Sequence, residues 1–126
     1  LLFHKKLNKW IQPGGHIEGD ECFIDASIRE LEEETGITSE NFNNKDIILL
    51  DAGIFDSHDN SHKHYNLSFL FSVIKKNITL KNEEDNDVRW FKFKDVPNID
   101  KDGSLTQAIN YLKNIKPNNK RKNKPT

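Results

Sequence analysis

Gly14-Gly15-His16-Ile17-Glu18-Gly19-Asp20-Glu21-Cys22-Phe23-Ile24-Asp25-Ala26-Ser27-Ile28-Arg29-Glu30-Leu31-Glu32-Glu33-Glu34-Thr35-Gly36-Ile37 is the stretch on which the fold turns. A glycine-punctuated loop runs to Asp20, whose side chain suits a helix N-cap. From Glu21 to Thr35 the periodicity predicts a helix, with Ile24, Ile28 and Leu31 at i, i+4 and i+7 on one face. Gly36 follows in the position where a left-handed residue closes a helix. The last turn is crowded with acid: Glu30, Glu32, Glu33 and Glu34. At about 100° per residue, Glu30, Glu33 and Glu34 share an arc of about 100°, roughly opposite the apolar face. Like charges at these spacings repel by about 0.2–0.5 kcal/mol per pair. The C-terminal end of a helix also carries partial negative charge, so carboxylates belong at the other end. A solvated charged face is the ordinary meaning of such a run. Two local rules broken at one place mark a functional site instead, and a bound divalent cation supplies the missing compensation.

Outward from this helix, short strands alternate with polar turns. Leu1 to Lys5 predicts a strand, Lys6 to Lys9 a turn, and Trp10-Ile11-Gln12 a second strand stopped by Pro13-Gly14-Gly15. Ile47 to Phe55 and His64 to Ile74 predict two longer strands around the polar loop 56–63. Val88 to Phe93 predicts another after the polar loop 81–87, and Leu105, Ala108, Ile109 and Leu112 predict a closing helix over 105–115. Residues 116–126 hold five basic residues, two prolines and no acid, and are expected to be a basic, disordered tail. Strands on both sides of a helix, with a second helix at the end, suggest an α+β domain whose mixed sheet is covered on its faces.

Composition narrows the function classes. At 126 residues the chain is long enough for one domain with a real core, and 34% hydrophobic against 31% charged residues is a soluble globular balance. No run approaches the roughly 18 apolar residues of a membrane span. The opening Leu1-Leu2-Phe3-His4-Lys5-Lys6 is charged too soon for a secretory signal. Cys22 is the single cysteine, which excludes an internal disulfide and suits a reducing, cytoplasmic setting. A net charge of −1 argues against a dominant nucleic-acid or membrane field.

The pattern Gly15-x5-Glu21-x7-Arg29-Glu30-Leu31-x-Glu33-Glu34-x-Gly36-Ile37 resembles the complete signature of the Nudix (MutT-like) hydrolases, met without a gap or substitution. Weaker landmarks, Trp10-x-x-Pro13-Gly14-Gly15 and Val88-Arg89-Trp90-Phe91 ahead of Asp95-Val96-Pro97, extend the likeness over most of residues 1–115. The resemblance implies a single domain over 1–115, a Nudix-type α/β/α sandwich with a mixed β-sheet and the signature as a loop–helix–loop. Relatives carry another strand ahead of the Leu1 position, so an N-terminal strand is expected to be missing from this sequence, leaving an open sheet edge. The implied reaction is metal-dependent hydrolysis of a diphosphate linkage in a nucleoside diphosphate derivative (a nucleoside triphosphate, ADP-ribose or similar) by attack of water on phosphorus. Mg²⁺ is the expected cofactor, with Mn²⁺ as a substitute.

By the same resemblance, Glu30, Glu33 and Glu34 ligate the metal, and the backbone carbonyl of Gly14 adds a ligand. Mg²⁺ takes near-octahedral oxygen ligands and keeps several waters, so three carboxylates form a half-shell. Arg29 is expected to hold a metal-binding Glu in place; an ordinary intrahelical pair with Glu33 is its plainer use. Glu21 belongs to the catalytic set near the metals, although its place at the helix start also suits simple dipole stabilisation. The general base is a signature Glu or a Glu on a distant loop, where Glu83 is preferred and Glu84 adjoins it. His62, His64 and Phe55 are the candidates for substrate contact. His58, His62 and His64 have a spacing compatible with zinc, but no Cys or further His completes a site. Phe55, Tyr65, Trp90 and Phe91 can stack a base, while aromatic residues on strands more often fill a core. Cys22 reads as a small hydrophobe, and His16 has no assigned role. The expected partner is a small nucleotide-type molecule, with no membrane, no nucleic acid, and a homodimer in keeping with many relatives. Two other readings stand beside this one. The first is an RNA 5′-end pyrophosphohydrolase, supported only by the basic residues Lys116 to Lys124; the second is a non-catalytic nucleotide-sensing domain.

Overall fold

Helix α1, Phe23–Thr35, organises the unit formed by Pro13–Lys81. The computed structural model describes residues 1–57, 59–74, 78–82 and 87–122, with the backbone alone at 55 and 115–122. α1 starts two residues later than the capping argument predicts. Gly19, at φ 55°, turns the loop so that the Glu21 N–H donates to the Glu18 carbonyl at 3.2 Å, and Cys22 becomes the N-cap without a side-chain bond. Asp20 is therefore not the cap. The other end follows the expectation: Gly36 sits at φ 82° and its N–H donates to the Glu32 carbonyl at 2.9 Å. Only glycine suits this corner, because a Cβ there would also press on the Thr79 carbonyl at 3.0 Å.

Ile24, Ile28 and Leu31 do not form the buried stripe their spacing predicts. Ile24 is exposed, Ile28 and Leu31 are half-buried, and the helix residues fully buried are Ala26 and Thr35. Periodicity marks the apolar face but not how much of it neighbouring elements cover, and in this unit α1 lies against the hairpin strand β4.

That hairpin joins β3, Ile48–Asp56, to β4, Lys63–Leu70, in antiparallel register from Asp56↔Lys63 to Ile48↔Leu70, with a bulge between Leu49 and Asp51. β-branched and aromatic residues such as Ile48, Ile54, Tyr65 and Phe69 favour this pleated pairing. The predicted strand to Ile74 ends at Leu70, after which Val73 makes only an isolated bridge with Phe42, seconded by the Ile74 N–H to Asn41 carbonyl bond at 2.8 Å. Phe42 and Phe71 meet edge to face at 5.0 Å. The hairpin tip is closed by Asn60 at φ 58°, a conformation asparagine tolerates, and by Asp59, whose Oδ1 accepts from Ser57 Oγ at 2.8 Å and from the Ser61 N–H at 3.0 Å.

The second unit comprises Leu1–Gln12 and Asn82–Thr126. Here β1, Leu2–His4, is the middle strand between β2, Lys9–Ile11, and β5, Asp87–Val88, all antiparallel. Every strand pairing among the described residues is antiparallel, in two separate small sheets, where the sequence suggests a mixed sheet. The predicted strand Val88 to Phe93 is cut short. Leu1 and Arg89 exchange one more pair of bonds, and the chain then winds into a 3₁₀ helix, Phe93–Asn98, which begins with the Asp95 N–H on the Lys92 carbonyl and contains Pro97. Phe3, Trp10 and Phe91 stack edge to face at 5.3 and 4.8 Å, with Arg89 over Trp10. Helix α2, Ser104–Lys122, buries Leu105 and continues past Ile115 through Pro117, into the segment expected to be disordered. The fold class is α+β.

Candidate metal-binding and catalytic site

Arg29 is the hub of the acidic helix. Its Nε donates to both Glu21 carboxylate oxygens at 3.2 and 3.1 Å, and Nη2 donates to Glu21 Oε1 at 2.7 Å. Nη2 also reaches the His16 carbonyl at 2.9 Å, and Nη1 donates to Glu30 at 2.8 Å and Glu33 at 3.2 Å. A guanidinium has five N–H groups, and each has a partner here. The planar fork matched to a carboxylate explains why Arg occupies this place. The bonds from Arg29, seconded by the Glu18 N–H at 2.8 Å, hold the Glu21 carboxyl below the usual carboxylate range. Glu21 and Glu30 in turn raise the basicity of Arg29.

The three carboxylates expected to hold a metal differ in their surroundings. Glu30 is 14% exposed and Glu33 57% exposed. Glu30 lies against Gly15, where a Cβ would overlap its carboxylate, with Oε2 only 2.8 Å away. The glycine makes that approach possible. Glu34 Oε2 accepts the Gly14 N–H at 3.1 Å. Burial pushes the Glu34 carboxyl up to about 7, and the charges of Glu30 and Glu33 together with a hydrogen bond to Glu30 add to the rise. Among the described residues no three His, Cys, Asp or Glu side chains converge closely enough to hold a metal as they stand. Arg29 holds Glu30 and Glu33, while the Gly14 N–H holds Glu34. Lys81 closes the same end of the helix, its Nζ donating to the Glu33 carbonyl at 3.1 Å and its N–H to the Thr35 carbonyl at 2.9 Å.

Beside this network stand three imidazoles. His62 and His64 lie 4.7 Å apart between ring centroids, and His64 and His16 lie 6.1 Å apart. Phe55 pairs with His64 across the hairpin, and its side chain is outside the described ones. Glu83, Glu84 and His58 lie outside the described residues. Thus Arg29, Glu21, Glu30, Glu33, Glu34 and Gly14 come together in one unit, with His62 and His64 in the same unit.

A sequence profile of the NUDIX domain matches residues 1–110. The chain belongs to this family. Two Nudix relatives show how local the likeness to individual proteins is. The m7GpppN-mRNA hydrolase NUDT17 of Danio rerio is 60% identical over 30 residues, 24% of this chain and 10% of that protein. The phosphatase NudJ of Escherichia coli (strain K12) is 55% identical over 31 residues, 25% of this chain and 20% of that protein. The matched stretches therefore span a fifth or less of the relatives' length.

In this Nudix domain the donor set fits a hard divalent cation: it offers oxygen ligands only, and each carboxylate keeps acceptor capacity beyond the bonds described. Burial, and after it the charges of Glu30 and Glu33, raise the Glu34 carboxyl, and a bound cation would offset both. Two residues of the network are not legible in the sequence. His16 reaches it through its backbone carbonyl, which no side-chain pattern reveals. Lys81 lies far along the chain, and only the general tendency of Lys to cap helix C-termini hints at its place. No described helix is long and apolar enough to cross a membrane.

Proposed function

We propose that this Nudix domain is a metal-dependent hydrolase that cleaves a diphosphate linkage in a nucleoside diphosphate derivative, such as a nucleoside triphosphate or ADP-ribose. The observation that carries this is the carboxylate group at the tail of α1: Glu30, Glu33 and Glu34 crowd a helix end that repels them, and Glu34 is pushed up to about 7 by burial and by its neighbours. Glu30, Glu33 and Glu34, with the Gly14 carbonyl, are the residues to hold Mg²⁺, or Mn²⁺ in its place. When bound, the metal neutralises diphosphate oxygens and lowers the pKa of the attacking water.

The chain's own residues position that chemistry. Glu21 anchors Arg29, and Arg29 orients Glu30 and Glu33, so the ligand carboxylates are set before substrate arrives. Gly15 lets Glu30 come close to the loop. Glu83 is our candidate for the base that takes the proton from water, and His62, His64 and Phe55 are those for substrate contact. The same reading carries the α/β/α sandwich, a single domain over 1–115, a cytoplasmic setting and a homodimer as further proposals.

Turnover of a panel of nucleotide derivatives with Mg²⁺ and Mn²⁺ tests the assignment. The intact protein should release phosphate-bearing products from at least one of them, and Glu33→Gln should abolish this with the fold intact. Full activity in Glu33→Gln removes the metal assignment. Hydrolysis at an RNA 5′ end is a second reading, prompted by the name of the Danio rerio relative and by the basic residues 116–124. RNA turnover unchanged after deletion of 116–126 removes the basic segment as its support.

A further inference from the structure

We propose that His16, His62 and His64 form an anion-binding face for the phosphoryl oxygens of the substrate, alongside the carboxylate helix. A diphosphate presents more oxygens than a metal at one edge can neutralise, and the rest need N–H donors. The helix cannot supply them. Its carboxylates only accept, and all five donors of Arg29 are taken by Glu21, Glu30, Glu33 and the His16 carbonyl. A donor-bearing cluster begins at His16. This residue follows Gly15, against which the Glu30 carboxylate lies, and its ring is 6.1 Å from that of His64. His62 extends the row by 4.7 Å.

His62 is held ready for an anion. Asp59 is kept down to about 2, chiefly by the Ser61 hydroxyl, so its carboxylate accepts and does not donate. The Ser61 hydroxyl, 2.6 Å from Asp59 Oδ1, therefore donates to it and accepts from His62 Nδ1 at 2.8 Å. Ser57, buried at the base of the tip, also donates to Asp59 and accepts the His62 N–H at 3.2 Å. His62 is thus fixed through Nδ1, with its Nε2 on the opposite edge of the ring for a ligand. The Asp59 carboxylate, through Ser61, thus holds the Nδ1 edge of the ring and fixes which edge an arriving phosphoryl oxygen meets. Identifying that anion with the substrate rests on the diphosphate-hydrolase reading; the binding face does not.

Titration calorimetry of the full chain with inorganic pyrophosphate, in EDTA at fixed pH, reads the face without any metal. His62→Gln and His64→Gln are each expected to weaken binding at least about ten-fold. Asp59→Asn should weaken it by a smaller factor, and His4→Gln, on β1, should not change it. Equal affinity in the wild type and in His62→Gln, whose exposed position at the hairpin tip spares the fold, overturns the proposal. So does saturable Zn²⁺ binding by the histidines that pyrophosphate fails to displace. Pyrophosphate binding that depends on the imidazoles, in a protein without Mg²⁺-dependent turnover, would keep this face and remove the enzymatic reading, so the two fail separately.

Discussion

Replacing Glu34 by Gln should stabilise the metal-free protein while disabling it. Glu34 is half-buried, its carboxyl is raised from 4.5 to about 7, and burial is the leading cause. A folded-state value above the unfolded one means that stability from this group is complete below about 4.5 and is lost as pH rises through about 7. An unscreened shift of that size costs the folded state up to about 3 kcal/mol on ionisation. Solvent reaches half of the group, and screening reduces the cost to about 1–2 kcal/mol. Glutamine cannot ionise, yet its carbonyl can still accept the Gly14 N–H and its amide can donate to Glu30 in place of the carboxylic proton. The assay is urea denaturation of both proteins in EDTA at pH 5 and pH 8, compared as differences so that histidine titration cancels. The variant should exceed the wild type by about 0.5–0.8 kcal/mol at pH 5, where the unfolded carboxyl already ionises, and by about 1–2 kcal/mol at pH 8. With excess Mg²⁺ the order should reverse, because the wild type gains binding energy that the amide forfeits. A variant less stable than the wild type at pH 8 in EDTA would refute the electrostatic reasoning.

Gly15→Ala should displace the flexible end of Glu30 and leave the melting temperature nearly unchanged, while Mg²⁺-dependent turnover falls about 100-fold, as misplaced ligands do. Arg29→Lys keeps the charge but loses the fork across Glu21, Glu30 and Glu33; turnover or metal affinity should fall about 10- to 100-fold, read by activity and metal titration. Lys81→Met removes the ammonium from the acid-rich end of α1 and should cost about 0.5–1 kcal/mol, measured as a shifted denaturation midpoint.

Much of the site is legible in the sequence because it is local. Residues three and four apart on one helix are brought together by helical geometry alone, so the spacing suffices to group Arg29 with Glu33, and Glu30 with Glu33 and Glu34. Gly36 is legible for the same reason: its left-handed conformation is a property of one residue. The helix starts after Cys22 and not after Asp20 because the turn at Gly19 competes with the cap, and propensity does not say which prevails. The long strands end early, at Leu70 and Val88, since apolar alternation continues beyond the residues that find a pairing partner.

The sequence by itself determined the acidic helix, the glycines at both its ends and the family, since each depends on spacing within a few turns of chain. Tertiary structure decided what those residues touch. Glu21 became the anchor of Arg29 across eight residues of chain, Lys81 came back to cap a helix that ended at Thr35, and His16 met His64 from across the unit. Contacts of that separation depend on how loops close and strands register, which involves loop-closure entropy and packing, and no residue pattern on either side encodes them alone.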